Sequence, residues 1–181
     1  HVRSRRQRQM CIRDRPHVAG AAAIMKQLYP EWTAVEIKTA LTSTAVNGLK
    51  KEDSVTPTTP FDIGAGRLDL ERAVKAGVTF DKPSFAQDPC VAECSFTRTI
   101  RNMTDKEVTW TPSLSLTDEA MTGEFSVSSV TLKPYGTEGD SAEFSLKLNG
   151  SFATLDTWSF GNVVWTCLLY TSPSPRDKRQ S

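Results

Sequence analysis

The sequence predicts a mixed fold, helical over residues 16–80 and an all-β sandwich over residues 81–166. Three observations carry this. The stretch VAGAAAIM, residues 18–25, is apolar or glycine at every position, the mark of a helix buried on all sides. After residue 80 the period changes to two: Val108, Trp110, Pro112, Leu114 and Leu116 alternate with Thr109, Thr111, Ser113, Ser115 and Thr117. Ala142, Phe144, Leu146 and Leu148 repeat that alternation against Glu143, Ser145, Lys147 and Asn149. Strict alternation belongs to strands with one face on a core and the other in water.

Pro16 is expected to open the first helix, where its fixed φ and missing N–H cost nothing. Lys26 and Gln27 bring that helix to the surface and Pro30 ends it. Thr33, with Glu36 three residues on, reads as a capping box that starts a second helix. Val35, Ile37, Ala40 and Leu41 form its expected core stripe. A polar, proline-containing linker runs from Val46 to Pro60, and FDIGAG (residues 61–66) leads into a short helix over 69–76, with Gly77 as its stop. In the β region Phe125 and Val127 lie on odd positions but Val130 and Leu132 on even ones, so Ser128-Ser129 reads as a bulge or a break. Phe96 and Ile100 share a face that Arg98 interrupts. Pro134-Tyr135-Gly136 and Asn149-Gly150 supply turns. Short strands separated by turns, with no helix between them, read as a β-sandwich.

The two ends can be explained together at the level of DNA. Met10–Asp14 can be written ATG TGT ATA AGA GAC, with AG opening the codon of Arg15. The reverse complement of AGATGTGTATAAGAGACAG, read with its first C closing the codon of Thr166, gives Cys167-Leu168-Leu169-Tyr170-Thr171-Ser172. One DNA word on opposite strands therefore encodes both termini. The repeat, with its flanks Arg5–Gln9 and Pro173–Asp177, resembles translated transposon-type sequencing adapter. On this hypothesis residues 1–15 and 167–181 are artefact and only Pro16 to about Trp165 is natural protein. Codons in the source DNA that do not fit the repeat would sink it.

Excluding the ends changes every bulk statistic. The whole chain carries 22 Lys and Arg against 21 Asp and Glu. The first fifteen residues hold six Arg and one Asp, and the tail from Cys167 three basic groups and one Asp, leaving 13 basic and 19 acidic groups, net −6. The arm RSRRQR invites a nucleic-acid reading, but it lies wholly within the suspect end, and an acidic body disfavours phosphate backbones as partners. No apolar run approaches the roughly 20 residues that span a bilayer.

Of the four cysteines, Cys90 and Cys94 lie in the body, in DPCVAECSF. A C-x3-C pair can close a disulfide across a tight loop, which a secreted protein favours, or remain two free thiols. A metal site needs about four ligands, and His17 is the one histidine of the body. No cofactor or metal is expected.

The segment PHVAG (residues 16–20), the second-helix pattern PEWT-x-x-x-I-K-x-A-L and FDIGAGRLD occur in that order, and together they resemble the C-terminal helices of a subtilisin-like serine protease (subtilase) catalytic domain. CSFTRTIRN, the alternating strands and Trp158-Ser159-Phe160-Gly161 resemble, more loosely, the fibronectin type III-like domain that follows it in many large secreted subtilases. The resemblance implies C-terminal helices of an α/β catalytic domain without its parallel sheet over 16–80, then a sandwich over 81–166 cut short by one strand. It also implies an extracellular, secreted enzyme that hydrolyses peptide bonds of protein substrates.

In subtilases a Gly-Thr-Ser-Met stretch leads into PHVAG, and the serine's place falls here at Ile12, which has no nucleophilic oxygen. The chain order Asp, His, Ser puts the rest of the triad upstream. The resemblance therefore leaves no catalytic residue in this chain; its partner would be the missing N-terminal part of the catalytic domain. Pro16, His17 and Gly20 are expected to support the nucleophile's helix, with His17 as a buried structural residue and not the triad base. Free N–H groups where that helix starts would favour a negative tetrahedral oxyanion. Asp62 and Asp69 are read as capping or turning the chain, and Ser43 as part of a helix end. Two other readings stand beside the protease fragment. One is a non-catalytic β-sandwich binding or adhesion module with a helical remnant. The other, a pseudoprotease, requires Ile12 to be genuine.

Overall fold

The computed structural model describes residues 2–51, 53–87, 90, 92–150 and 158–167, with side chains from residue 14 onward. The chain forms two compact units, His1–Pro83 and Ser84–Ser181.

In the first unit, α1 (Val2–Leu28) and α2 (Ala34–Ser43) pack against each other, and two single-turn helices follow, α3 (Pro60–Ile63) and α4 (Leu70–Ala73). A short strand, β1 (Val78–Phe80), lies against α2. The helix expected to open at Pro16 instead runs through it, with Pro16 in its interior. Arg3–Met10 is built of Arg, Gln and Met with a single Ser, residues that favour helix, and they extend α1 upstream. Pro16 has no N–H to give the carbonyl of Ile12 four residues back.

The expectation of a helix buried all round is also corrected. Ala21 and Met25, one turn apart, are buried, whereas Val18, Ile24 and Leu28 are 49%, 43% and 55% exposed. One partner helix covers one stripe, and the remaining apolar positions stay in water. α2 starts as its sequence demands: Glu36 accepts from the backbone N–H of Thr33 at 2.7 Å and from its hydroxyl at 2.8 Å, while the Glu36 N–H donates to Thr33 Oγ1 at 3.3 Å. Ile37, Ala40 and Leu41 are buried, but Val35 is exposed, and Glu36 and Thr39 take interior positions in its place. The capping interaction turns Glu36 inward and leaves Val35 on the outer face.

Tyr29 stacks on Trp32, with ring centroids 4.2 Å apart, and its hydroxyl donates to the Val74 carbonyl at 2.5 Å. α4 ends at Ala73, earlier than Gly77, because its last turn tightens through Lys75 N–H to Arg72 and Ala76 N–H to Ala73.

The second unit holds two antiparallel sheets. In one, β6 (Ser141–Asn149) lies between β2 (Glu93–Asn102) and β4 (Thr122–Phe125). In the other, β3 (Val108–Leu116) lies between β5 (Val130–Leu132) and β7 (Gly161–Cys167). The sheets meet through aromatic side chains: Phe144 of β6 and Trp165 of β7 lie edge to face at 4.8 Å, and Phe125 of β4 approaches Trp165 at 6.3 Å. Phe144, Leu146, Ile100 and Leu132 are fully buried around them.

The parity change between Phe125 and Val130 is neither a bulge nor a simple break. β4 and β5 belong to different sheets, and the chain crosses between them over residues 126–129. Arg98 keeps its place on the inward face of β2 by reaching out along it. Its guanidinium lies 5.0 Å from the Phe85 ring centroid and donates to the carbonyls of Thr97 at 2.7 Å and Ser84 at 2.8 Å. The Tyr135-Gly136 turn forms, with Thr137 N–H donating to the Pro134 carbonyl at 3.2 Å. The turn expected after Asn149-Gly150 leads into residues 151–157, which lie outside the described residues. β7 takes in Cys167, one residue beyond the expected boundary at 166, where it pairs with Trp110.

Candidate functional site

The sequence places the candidate site on α1, around position 12 and the supporting residues Pro16, His17 and Gly20. Position 12 lies well inside a helix that begins at Val2. Its neighbouring N–H groups are therefore spent on helical hydrogen bonds, and the first-turn donors lie about ten residues upstream. The expected oxyanion-stabilising helix start at Pro16 is not formed. The helix formers of the arm consume it.

His17, expected buried, is exposed. It lies on α1 near Gly20, Ile24 and Leu28, at intervals of three and four residues, beside the buried stripe of Ala21 and Met25. A Cβ at Gly20 would meet nothing within 4 Å. This stretch of α1 therefore presents a histidine, a glycine with open space over it, and two apolar side chains to solvent.

The remainder of the unit is held by loop chemistry. Asp62 accepts from the Thr59 N–H at 2.8 Å and hydroxyl at 2.9 Å, and lies 3.4 Å from Lys51. The Thr59 hydrogen bonds, backbone first, hold its carboxyl below the usual carboxylate range. Asp69 caps α4 by accepting from the Arg72 N–H at 3.1 Å. Val46 and Arg67 exchange backbone hydrogen bonds at 2.8 and 3.1 Å, closing the polar loop between them. Gly66, in the FDIGAG motif, has φ +115° beneath this bridge, and a Cβ there would lie 2.6 Å from the Val46 carbonyl oxygen. Only glycine fits.

Part of this arrangement is similar to known proteins. Residues 15–66 match the subtilase family. The matched segment spans the second half of α1, α2, the loop bridged by Val46 and Arg67, α3 and the FDIGAG motif. Among curated proteins, the chain is 38% identical over 72 residues to Subtilisin-like protease SBT1.3 of Arabidopsis thaliana, covering 36% of this chain and 9% of that protein. Over the same length it is 38% identical to Subtilisin-like protease SBT3 of Solanum lycopersicum (36% of this chain, 10% of that protein). It is 40% identical to Subtilisin-like protease SBT1.7 of Arabidopsis thaliana (again 36% and 10%). The aligned part of the chain thus spans about a tenth of the length of the curated relatives it matches.

In the second unit, Cys90 and Cys94 are joined by a disulfide, with Cα atoms 5.7 Å apart. Among the described residues, no group of three or more His, Cys, Asp or Glu is placed to hold a metal ion, and no helix is long and apolar enough to cross a membrane.

The second unit also contains a polar knot that sequence reasoning missed. Asn102, with no exposed surface, donates through Nδ2 to the carbonyls of Lys106 at 2.8 Å and Lys133 at 2.9 Å. Its Oδ1 accepts from the N–H and hydroxyl of Thr104. Asp140 accepts from Arg101 Nε at 2.9 Å, Arg101 Nη2 at 2.8 Å and the Gly136 N–H at 2.9 Å. Burial opposes ionisation of Asp140, but the Arg101 guanidinium and the Gly136 N–H outweigh it and lower its pKa. The available signal was the pairing of RN before one turn with GD after another. Hydrophobic periodicity does not register it.

Proposed function

We propose that the natural protein behind this chain is a secreted subtilisin-like serine endopeptidase, and that the chain as it stands is inactive. Residues 16–80 would be the C-terminal scaffold of its catalytic domain, and residues 81–166 a fibronectin type III-like sandwich lacking a strand. Residues 1–15 and 167–181 would be adapter-derived. The single observation that carries the reading is the subtilase match at residues 15–66, which begins one residue before PHVAG and takes in FDIGAG.

The mechanism of the intact enzyme follows from that match. A serine at the position now held by Ile12 would attack the peptide carbonyl, with a histidine taking its proton and an aspartate orienting the imidazole. Both partners would lie in the missing N-terminal part of the catalytic domain. Pro16, His17 and Gly20 would support the nucleophile's helix once that part covers them. The exposure of Val18, Ile24 and Leu28 supports this, because large apolar side chains grouped on one helix are normally covered. Triad loss costs orders of magnitude in rate, so this chain should not hydrolyse peptides.

The genomic copy of the gene tests the reading. It should encode Gly-Thr-Ser-Met shortly before Pro16, an Asp/His pair farther upstream, and a further strand after Thr166. An isoleucine at position 12 in the genome, without that pair, would remove the proposed chemistry.

A further inference from the structure

The chain contains two Asn-x-Ser/Thr triplets, Asn102-Met103-Thr104 and Asn149-Gly150-Ser151, the acceptor pattern for asparagine-linked glycan. From the fold, we infer that Asn149 is a carbohydrate-bearing residue of the secreted protein and that Asn102 is not.

The two asparagines occupy opposite environments. Asn102 is completely buried, and its Nδ2 is a donor within the polar knot, satisfying the carbonyls of Lys106 and Lys133. A sugar on that nitrogen would need volume where none exists and would leave buried carbonyls without their donor. Asn149 ends β6 on its outward face, with Ser141, Glu143 and Lys147, and is exposed as they are. Its register partners, Glu93 on β2 and Thr122 on β4, are exposed too. Its exposure leaves room for a glycan outside the core. Ser151 lies outside the described residues and enters as sequence alone.

The chemistry is a group transfer. Asn149 Nδ2 forms a bond to the anomeric carbon of a lipid-linked oligosaccharide diphosphate. The bond from that carbon to the diphosphate oxygen breaks, and one amide proton is lost to a base of the transferase. The bulky, hydrated sugar would then cover the end of the sheet that holds β2, β6 and β4.

The inference rests on the secreted reading, and the test separates the two. The full chain, carrying a heterologous secretory signal, is translated with microsomes, and the protease-protected product is analysed by mobility and by glycopeptide mapping. The expected result is one glycan on Asn149, lost in N149Q, with Asn102 unmodified in the soluble, folded product. An unmodified Asn149, or a sugar on Asn102 in folded protein, would overturn it. Because the signal is supplied, neither result depends on whether the natural protein is secreted. N149Q should also melt within experimental error of an enzymatically deglycosylated product, so that a lost band shift is not mistaken for misfolding.

Discussion

Val46 and Arg67 face each other across the twenty residues between them, α3 included, and exchange both backbone hydrogen bonds, at 2.8 and 3.1 Å. Gly66 lies beside this pair at φ +115°, where a side chain would strike the Val46 carbonyl oxygen. Gly66→Ala should therefore lower the stability of the first unit by about 1–3 kcal/mol, as strain at a glycine-only backbone position does. Urea unfolding followed by the fluorescence of Trp32, in a variant whose other tryptophans are replaced by Phe, would show it as a lower midpoint. An unchanged midpoint would mean the bridge is not formed.

Gly20 should behave in the opposite way. It lies within α1 with open space where a Cβ would go, so Gly20→Ala should stabilise this chain by about 1 kcal/mol, the helix-propensity difference. In the intact enzyme, where the proposed catalytic domain would cover this stretch of α1, the same change should cost stability and activity. Circular dichroism melts of both proteins measure the change of sign.

The Asp140–Arg101 pair sets an acid limit on the second unit. Asp140 has a folded pKa below the unfolded value of about 3.9, so its contribution is complete above that value and is lost as pH falls through the folded one. D140N should cost about 2 kcal/mol at neutral pH, in the range for hydrogen bonds to a charged group, and the deficit should shrink below about pH 4. Asp53 and Asp62 are lowered too, by hydrogen bonds from Thr56 and Thr59, but both belong to the first unit. Melts of the second-unit transition from about pH 2 to about pH 7, bracketing the ordinary carboxylate range, separate the contributions.

The Cys90–Cys94 bridge has a chemical readout. In a variant with Cys11 and Cys167 replaced by Ser, denatured protein should show no reactive thiol before reduction and two after it. Closing so short a loop is worth about 2 kcal/mol by chain entropy, so reduction should lower the second unit's stability modestly. Two free thiols before reduction would refute the bridge.

Much of this architecture was legible because it is written in local rules. The Thr33–Glu36 capping box and the alternation of Val108 and Trp110 with Thr109 and Thr111 need only neighbouring residues. The misreadings arose where distant context decides. Val18 and Ile24 look like core in any window, yet their burial depends on what lies across from them. Pro16 looks like a helix start until the helix formers between Arg3 and Met10 carry the helix past it. The shift between Phe125 and Val130 reads as a defect in one strand because sequence does not say that the two strands join different sheets. For the candidate site, PHVAG carried the resemblance, but the exposure of His17 required three dimensions.

The central claim concerns the serine, and the most direct measurement is active-site labelling of the natural full-length protein with a fluorophosphonate probe, followed by peptide mapping. The account predicts one labelled serine, four residues before the proline of PHVAG, and no labelling of the chain described here. Label on any residue of the present chain, or none on the full-length protein at that position, would contradict it.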